Sequence, residues 1–155
     1  MTITFGVEIE FLPATNLATT ESLAAILSTQ SGLSTRGAYR GTPTSRAWKI
    51  VKDSSVRWQP SGPGGAAAIG FEAVSPILRE ADFNQIDKVC RALSSIGARV
   101  NRTCGLHIHI GGPTLNVDVM KRLAVLYAEV EPWLDSLLPP SRRESRNSFC
   151  VSVKE

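Results

Sequence analysis

Two short segments constrain this chain more than anything else in it: Gly6-Val7-Glu8-Ile9-Glu10-Phe11 and Cys104-Gly105-Leu106-His107-Ile108-His109-Ile110-Gly111. In each, ionisable residues alternate with aliphatic ones. Side chains two apart on a strand point to the same face. Glu8 and Glu10 therefore share one face, while Phe5, Val7, Ile9 and Phe11 share the other. His107 and His109, the only two histidines of the chain, likewise oppose Leu106, Ile108 and Ile110. Charge inside an apolar run is costly unless it is paired or coordinated. Carboxylates and imidazoles on one sheet face point to a site for a divalent metal.

Other classes are disfavoured by bulk properties. At 155 residues and 43% hydrophobic content the chain can fill one ordinary core. Its 17 basic residues give a net charge of only +3 and are dispersed, apart from Arg142, Arg143 and Arg146. Nucleic-acid binding is not expected from such a balance. The N-terminus lacks a signal-peptide pattern and no apolar stretch is long enough for a membrane span, so a cytoplasmic protein without membrane contact is expected. Cys90, Cys104 and Cys150 are odd in number and widely spaced, which fits free thiols in a reducing compartment and no zinc motif.

Along the chain, residues 2–12 read as a strand. Thr19 and Thr20 can cap a helix with an apolar stripe of Leu23, Ile26 and Leu27, closed by Gly32. The polar run from Gly32 to Thr44 predicts a loop. Trp48-Lys49-Ile50-Val51 and Val56-Arg57-Trp58 flank Asp53-Ser54-Ser55, which predicts a hairpin with Asp53 in its turn. Ser61 to Ala68 reads as a second loop, and its glycines lack the frame of a nucleotide-binding fingerprint. Phe71 to Ser75 reads as a strand stopped by Pro76.

Asp82 and Gln85 have capping-box spacing. Behind them Ile86, Val89, Cys90, Leu93 and Ile96 form a helical stripe that Gly97 ends. A third amphipathic helix carries Val119, Leu123, Leu126, Tyr127 and Val130. Pro132 is expected to kink or restart it, and Pro139-Pro140 to stop it. Trp48, Trp58 and Trp133 read as core or loop anchors. This order of elements predicts an α+β fold with helices packed on one face of a sheet, leaving the other face to Glu and His.

Taken singly, each polar residue has an ordinary explanation. Glu8 and Glu10 would suit a solvated strand face, Glu72 a surface acid, and His107 and His109 a hydrogen-bonded pair. If the three strands are neighbours, however, Glu8, Glu10, Glu72 and His107 converge. Oxygen-rich sites with one imidazole suit Mg²⁺ or Mn²⁺.

The joint pattern resembles the amidoligases, carboxylate–amine ligases related to glutamate–cysteine ligase and glutamine synthetase. The resemblance rests on Gly6 to Phe11, Trp48 through Val56, Glu72 to Pro76 and Cys104 to Gly111 in that order. Gly-Leu-His-Ile-His is also similar to the Gly-x-His-x-His stretch of glutamine synthetases. Ser141-Arg142-Arg143 resembles the arginine segment that follows in amidoligases, so the likeness runs from Thr4 to about Phe149.

This resemblance implies a glutamine-synthetase-like antiparallel sheet, a partial barrel, over residues 1–155. It implies ATP-dependent amide formation through an acyl phosphate, on a small-molecule or peptide carboxylate and an amine. Glu8, Glu10, Glu72 and His107 then correspond to metal ligands for Mg²⁺ or Mn²⁺, and His109 to a residue near the phosphates of ATP. Arg142 or Arg143 would hold phosphate or substrate carboxylate by a bidentate fork, as the catalytic arginines. Relatives continue into strands bearing a further acid and arginine. The expectation is therefore a fragment, a half-site completed by a homodimer or partner protein that finishes the sheet, or a non-catalytic binding protein. A metal-dependent hydrolase using the same cluster is the remaining alternative.

Overall fold

The computed structural model describes residues 3–14, 18–58, 68–111, 116–143 and 150–153. They fall into two compact units, Met1–Gly111 and Gly112–Glu155. The first holds a five-stranded sheet, mostly antiparallel, with two helices, and so has the expected α+β character. Its strands are β1 (Thr4–Phe11), β2 (Thr35–Gly37), β3 (Trp48–Trp58), β4 (Ala68–Val74) and β5 (Leu106–Gly111), in spatial order β2-β3-β4-β1-β5. The two alternating segments are thus neighbours, β1 beside β5, with β4 on the other side of β1.

Helix α1 (Thr20–Ser31) is fixed at both ends by local chemistry. The Thr19 hydroxyl accepts from the Ser22 N–H at 3.1 Å, and the Ser22 hydroxyl accepts from the Thr19 N–H at 2.9 Å. This reciprocal cap satisfies donors that a helix start leaves orphaned. Gly32 ends the helix in the left-handed region at φ 68°, a conformation that costs glycine little. Leu23, Ala24 and Leu27 are buried, whereas Ile26 lies outside the stripe expected for it and is exposed. Helix α2 (Phe83–Ser95) contributes Val89, Ala92 and Leu93. These side chains meet Val7 and Phe11 of β1, Trp48 and Ile50 of β3, and Phe71 and Ala73 of β4 in one core. Fully burying a side chain such as Phe11 or Ile50 stabilises the fold by about 1.5–3 kcal/mol, so this face anchors the sheet.

Three expectations are corrected. The segment Trp48–Trp58 is one long strand, not a hairpin. Its register against β4 shifts between Asp53 and Arg57, so the Asp53-Ser54-Ser55 stretch is an irregularity within the strand rather than a reversal. Gly70 makes room there: a Cβ on it would lie 2.2 Å from Val56 Cγ1. Second, the run Gly32 to Thr44 contains β2, which pairs in parallel with β3. Third, Asp82 does not cap α2 through the Gln85 backbone. Its carboxylate accepts from the Gln85 side-chain amide at 3.1 Å and from the Arg79 N–H at 2.9 Å.

Most of the loop expected at Ser61 to Ala68 lies outside the described residues; Ala68 itself begins β4. Trp48 is a core anchor as expected, 1% exposed, with its indole N–H donating to Gln85 Oε1 at 3.2 Å.

The second unit contains α3 (Val117–Ser136) and a 3-10 turn, Pro140–Arg142. Asn116 caps α3 by accepting from the Val119 N–H at 2.9 Å. The helix is not restarted at Pro132 but runs through it to Ser136. Trp133, expected as an anchor, is exposed. Glu131 is buried and ties residues 150–153 to the helix, accepting from the Ser152 hydroxyl at 2.8 Å and the Val153 N–H at 3.1 Å. No described helix is long and apolar enough to cross a membrane.

Candidate functional site

The sheet face opposite the helices carries the polar residues. In β1 the even positions point to it, and directly paired residues on neighbouring strands share a face. Glu8 pairs with His107 and Gly6 with His109 in β5, while Glu10 pairs with Glu72 in β4. Glu72 in turn pairs with Val51, which places Lys49, Val51 and Asp53 of β3 on the same face. Glu8, Glu10, Glu72 and His107 therefore share one face, as expected if their three strands are neighbours, and His109 lies on the same face.

Asp53 is the residue that sequence reasoning missed. Ligand oxygens of Glu10, Asp53 and Glu72 all lie within 4.8 Å of one another, a spacing at which they could share one cation. The signal was the two-residue period Lys49, Val51, Asp53, hidden because Asp-Ser-Ser is so common a turn sequence. Asp53 is 8% exposed, and its Oδ1 accepts from the Ser55 N–H at 2.7 Å and the Ser55 hydroxyl at 2.6 Å. Burial raises its pKa, but these two hydrogen bonds, with Arg40 and His107, bring it below the usual value.

Glu72 behaves oppositely. Burial first, and then the negative charges of Glu8, Asp53 and Glu10, push its pKa up to about 7. Arg40 opposes this without cancelling it. Glu72 is thus half-buried among like charges that Arg40 offsets only in part. Lys49 is buried on the same face, with Nζ donating to the Thr42 carbonyl at 2.9 Å.

The imidazoles border the acids. His107 places Nδ1 3.1 Å from Glu8 Oε2 and Nε2 3.6 Å from Glu10 Oε1. His109 Nε2 lies 3.3 Å from Glu8 Oε1, so Glu8 stands between the two rings. Gly105 closes the end of this row. Its N–H donates to Glu10 Oε2, and a Cβ on it would lie 3.0 Å from His107 Nε2. Arg142 and Arg143 belong to the second unit: Arg142 ends the 3-10 turn, and the Arg143 Nε donates to the Leu138 carbonyl.

Fold and site together define an α+β protein whose open sheet bears a carboxylate–imidazole face. More particularly, the chain belongs to the amidoligase family: the family model described as "Putative amidoligase enzyme" matches residues 1–155. Membership points to a ligase-type activity. A search of curated proteins gave no match.

Proposed function

We propose that this protein is an ATP- and Mg²⁺-dependent carboxylate–amine ligase, with residues 1–155 as an amidoligase-like domain on a glutamine-synthetase-like sheet. The observation that carries the reading is the convergence of Glu10, Asp53 and Glu72 beside Glu8 and His107. An all-carboxylate donor set suits a hard cation such as Mg²⁺ or Mn²⁺; the pKa of Glu72 is raised by burial first and then by the neighbouring carboxylates, whose charge such a cation would compensate. Bound there, the cation would neutralise charge on the phosphoryl group in transfer.

The chemistry proceeds by transfer of the γ-phosphoryl of ATP to the substrate carboxylate, giving ADP and an acyl phosphate. An amine then attacks the acyl carbon; the C–N bond forms, the bond to the phosphate oxygen breaks, and the ammonium proton is lost. Among this chain's own residues, Glu8 holds the His107 ring by a hydrogen bond and lies 3.3 Å from His109 Nε2, keeping both imidazoles at the edge of the acidic cluster. His109 would stand near the nucleotide phosphates. A second copy or a partner strand would add to the outer edge of β5, the end of the sheet.

The deciding experiment is phosphate release from ATP with Mg²⁺ or Mn²⁺ and a library of carboxylates and amines. Wild-type protein is expected to release phosphate in a substrate-dependent way. Glu10→Ala and His107→Ala are expected to lose Mg²⁺-ATP binding and turnover while keeping a folded circular-dichroism spectrum. Absence of both release and ATP affinity in the wild type would overturn the reading.

A further inference from the structure

Beside Glu8, on the side away from Glu10, the polar face contains a pit of about 380 Å³. Its floor is Gly6. Paired with His109 and flanked by Ser75, Gly6 lacks the side chain that would otherwise fill the space. The walls are Glu8 and His109 at one end, Pro76 and Ile77 along one side, and Thr44 from the loop before β3. The Pro76 side is held rigidly: Ser75 Oγ accepts from the Val7 N–H at 2.8 Å and donates to the Pro76 carbonyl at 2.7 Å. Backbone pairing resumes two residues on, where Phe5 and Leu78 exchange hydrogen bonds of 2.9 and 2.8 Å. The pit therefore sits on ordered strand structure at the small end of the size range of ligand sites, roughly 300–1,000 Å³.

We propose that this pit binds the amine-bearing substrate, and that this substrate is a small primary amine with an aliphatic stem and no carboxylate near its nitrogen. The assignment rests on the ligase reading above for its place in the reaction, but its chemistry comes from the lining. The described lining residues include no lysine or arginine, and the charged group at the rim is the Glu8 carboxylate. A substrate carboxylate would find neither a lysine nor an arginine among the described lining residues and would be repelled by Glu8. An ammonium group is attracted to Glu8, and an aliphatic stem can lie against Pro76, Ile77 and Val74. Along β1, Gly6, Glu8 and Glu10 are successive same-face residues about 6–7 Å apart. That order puts the amine next to the acidic cluster without competing for it.

Gly6 makes the test clean. A Cβ there would lie 3.8 Å from Ser75 Oγ and 3.9 Å from His109 Cβ, ordinary contact distances, so Gly6→Ala narrows the pit without a clash. Propylamine and β-alanine, nearly isosteric but for the carboxylate, are titrated without ATP or metal, following the His109 ring and Ile77 methyl resonances. Propylamine is expected to shift both and β-alanine neither. Gly6→Ala, and independently Ile77→Ser at an exposed wall position, are expected to weaken propylamine about tenfold while leaving Mg²⁺ affinity unchanged. Equal binding of β-alanine, or unaltered propylamine binding in both variants, would overturn the assignment. So would a Gly6→Ala enzyme whose KM rises for ATP and not for the amine. Propylamine binding at the pit in a protein with neither phosphate release nor ATP affinity would instead sink the ligase reading and leave the amine site standing.

Discussion

Glu10 and Glu72 stand directly opposite one another in adjacent antiparallel strands, with Asp53 close enough to complete a triangle of carboxylates. Like charges at paired positions destabilise a sheet. Glu10 is nevertheless 5% exposed, its carboxylate engaged by the Gly105 N–H and near His107. Glu72 carries the consequence of this crowding, a pKa lifted from 4.5 to about 7 by burial and then by its acidic neighbours.

That elevation sets a pH dependence of stability in the metal-free protein. A group whose folded pKa exceeds its unfolded value binds more protons when folded, so its contribution is fully present below about 4.5 and is lost as pH rises through about 7. Every tenfold gain in proton affinity corresponds to about 1.4 kcal/mol before discounting for partial exposure, which brings the contribution to roughly 1–3 kcal/mol. Denaturant unfolding in EDTA should find Glu72→Gln equal to wild type near pH 4 and more stable by that amount at about pH 8. Parallel pH profiles for the two proteins would contradict it.

The same proton competes with a cation. Because carboxylate ligands must be ionised to bind, Mg²⁺ or Mn²⁺ affinity should rise about tenfold per pH unit below about 7 and level off above it. Asp53→Asn removes one charge while its side-chain oxygen can still accept from Ser55, so affinity should fall at least about tenfold with little change in unfolding midpoint. Isothermal titration across pH decides this; wild-type affinity in the Asp53→Asn variant would remove Asp53 from the site.

What could be read from the sequence divides along a physical line. Strands β1 and β5 were legible because one face is apolar and the other ionisable, so the period of two is written twice over. Helix α1 was legible at its ends because Thr19 and Gly32 supply capping chemistry that needs no partner elsewhere. By contrast β2, three residues with a glycine, has no periodic signal and is held by its pairing with β3 and its packing against α1. The Asp53-Ser54-Ser55 irregularity read as a turn because its local hydrogen bonds are those of a turn; only the register with β4 keeps the strand going. Glu8 and Glu10 were visible for the reason that made β1 legible, Glu72 only if its strand lies beside β1, as it does, and Asp53 was lost to that local reading. Glu131, an acid on a helix face, gave no hint that residues 152 and 153 return to it.

Glu131 supplies a test confined to the second unit. Glu131→Ala leaves the Ser152 hydroxyl and the Val153 N–H without their acceptor, which should release the segment 150–153 from α3. Losing such charge-assisted bonds costs on the order of 1–3 kcal/mol. Hydrogen exchange should show the Val153 amide deprotected by a corresponding factor, with β1 and β4 amides unchanged. Equal protection of Val153 in variant and wild type would refute the tether.

Gly70 should prove a structural glycine with no role in chemistry. An added Cβ would overlap Val56 Cγ1 at 2.2 Å and approach the Phe11 carbonyl oxygen at 2.9 Å, both fixed parts of the sheet. Overpacking of this kind typically costs about 1–3 kcal/mol. Gly70→Ala should lower the unfolding midpoint with an unchanged slope, and cation affinity of the folded fraction should persist. An unaltered midpoint would mean that the strand irregularity relaxes freely.

Gly105 should behave in the reverse manner. A Cβ there would meet His107 Nε2 at 3.0 Å and Glu10 Oε2 at 3.3 Å, the movable ends of two side chains and not backbone. His107 is half exposed and can swing outward, so the fold should tolerate Gly105→Ala at a cost below about 1 kcal/mol. Swinging outward breaks its contacts with Glu8 and Glu10, however, and a misplaced ligand partner typically costs about 10–100-fold in metal affinity. Mn²⁺ binding followed by relaxation enhancement should therefore weaken in Gly105→Ala while thermal unfolding of the metal-free protein stays nearly unchanged. A variant that unfolds early yet binds Mn²⁺ normally would show that Gly105 serves the sheet and that His107 does not depend on it.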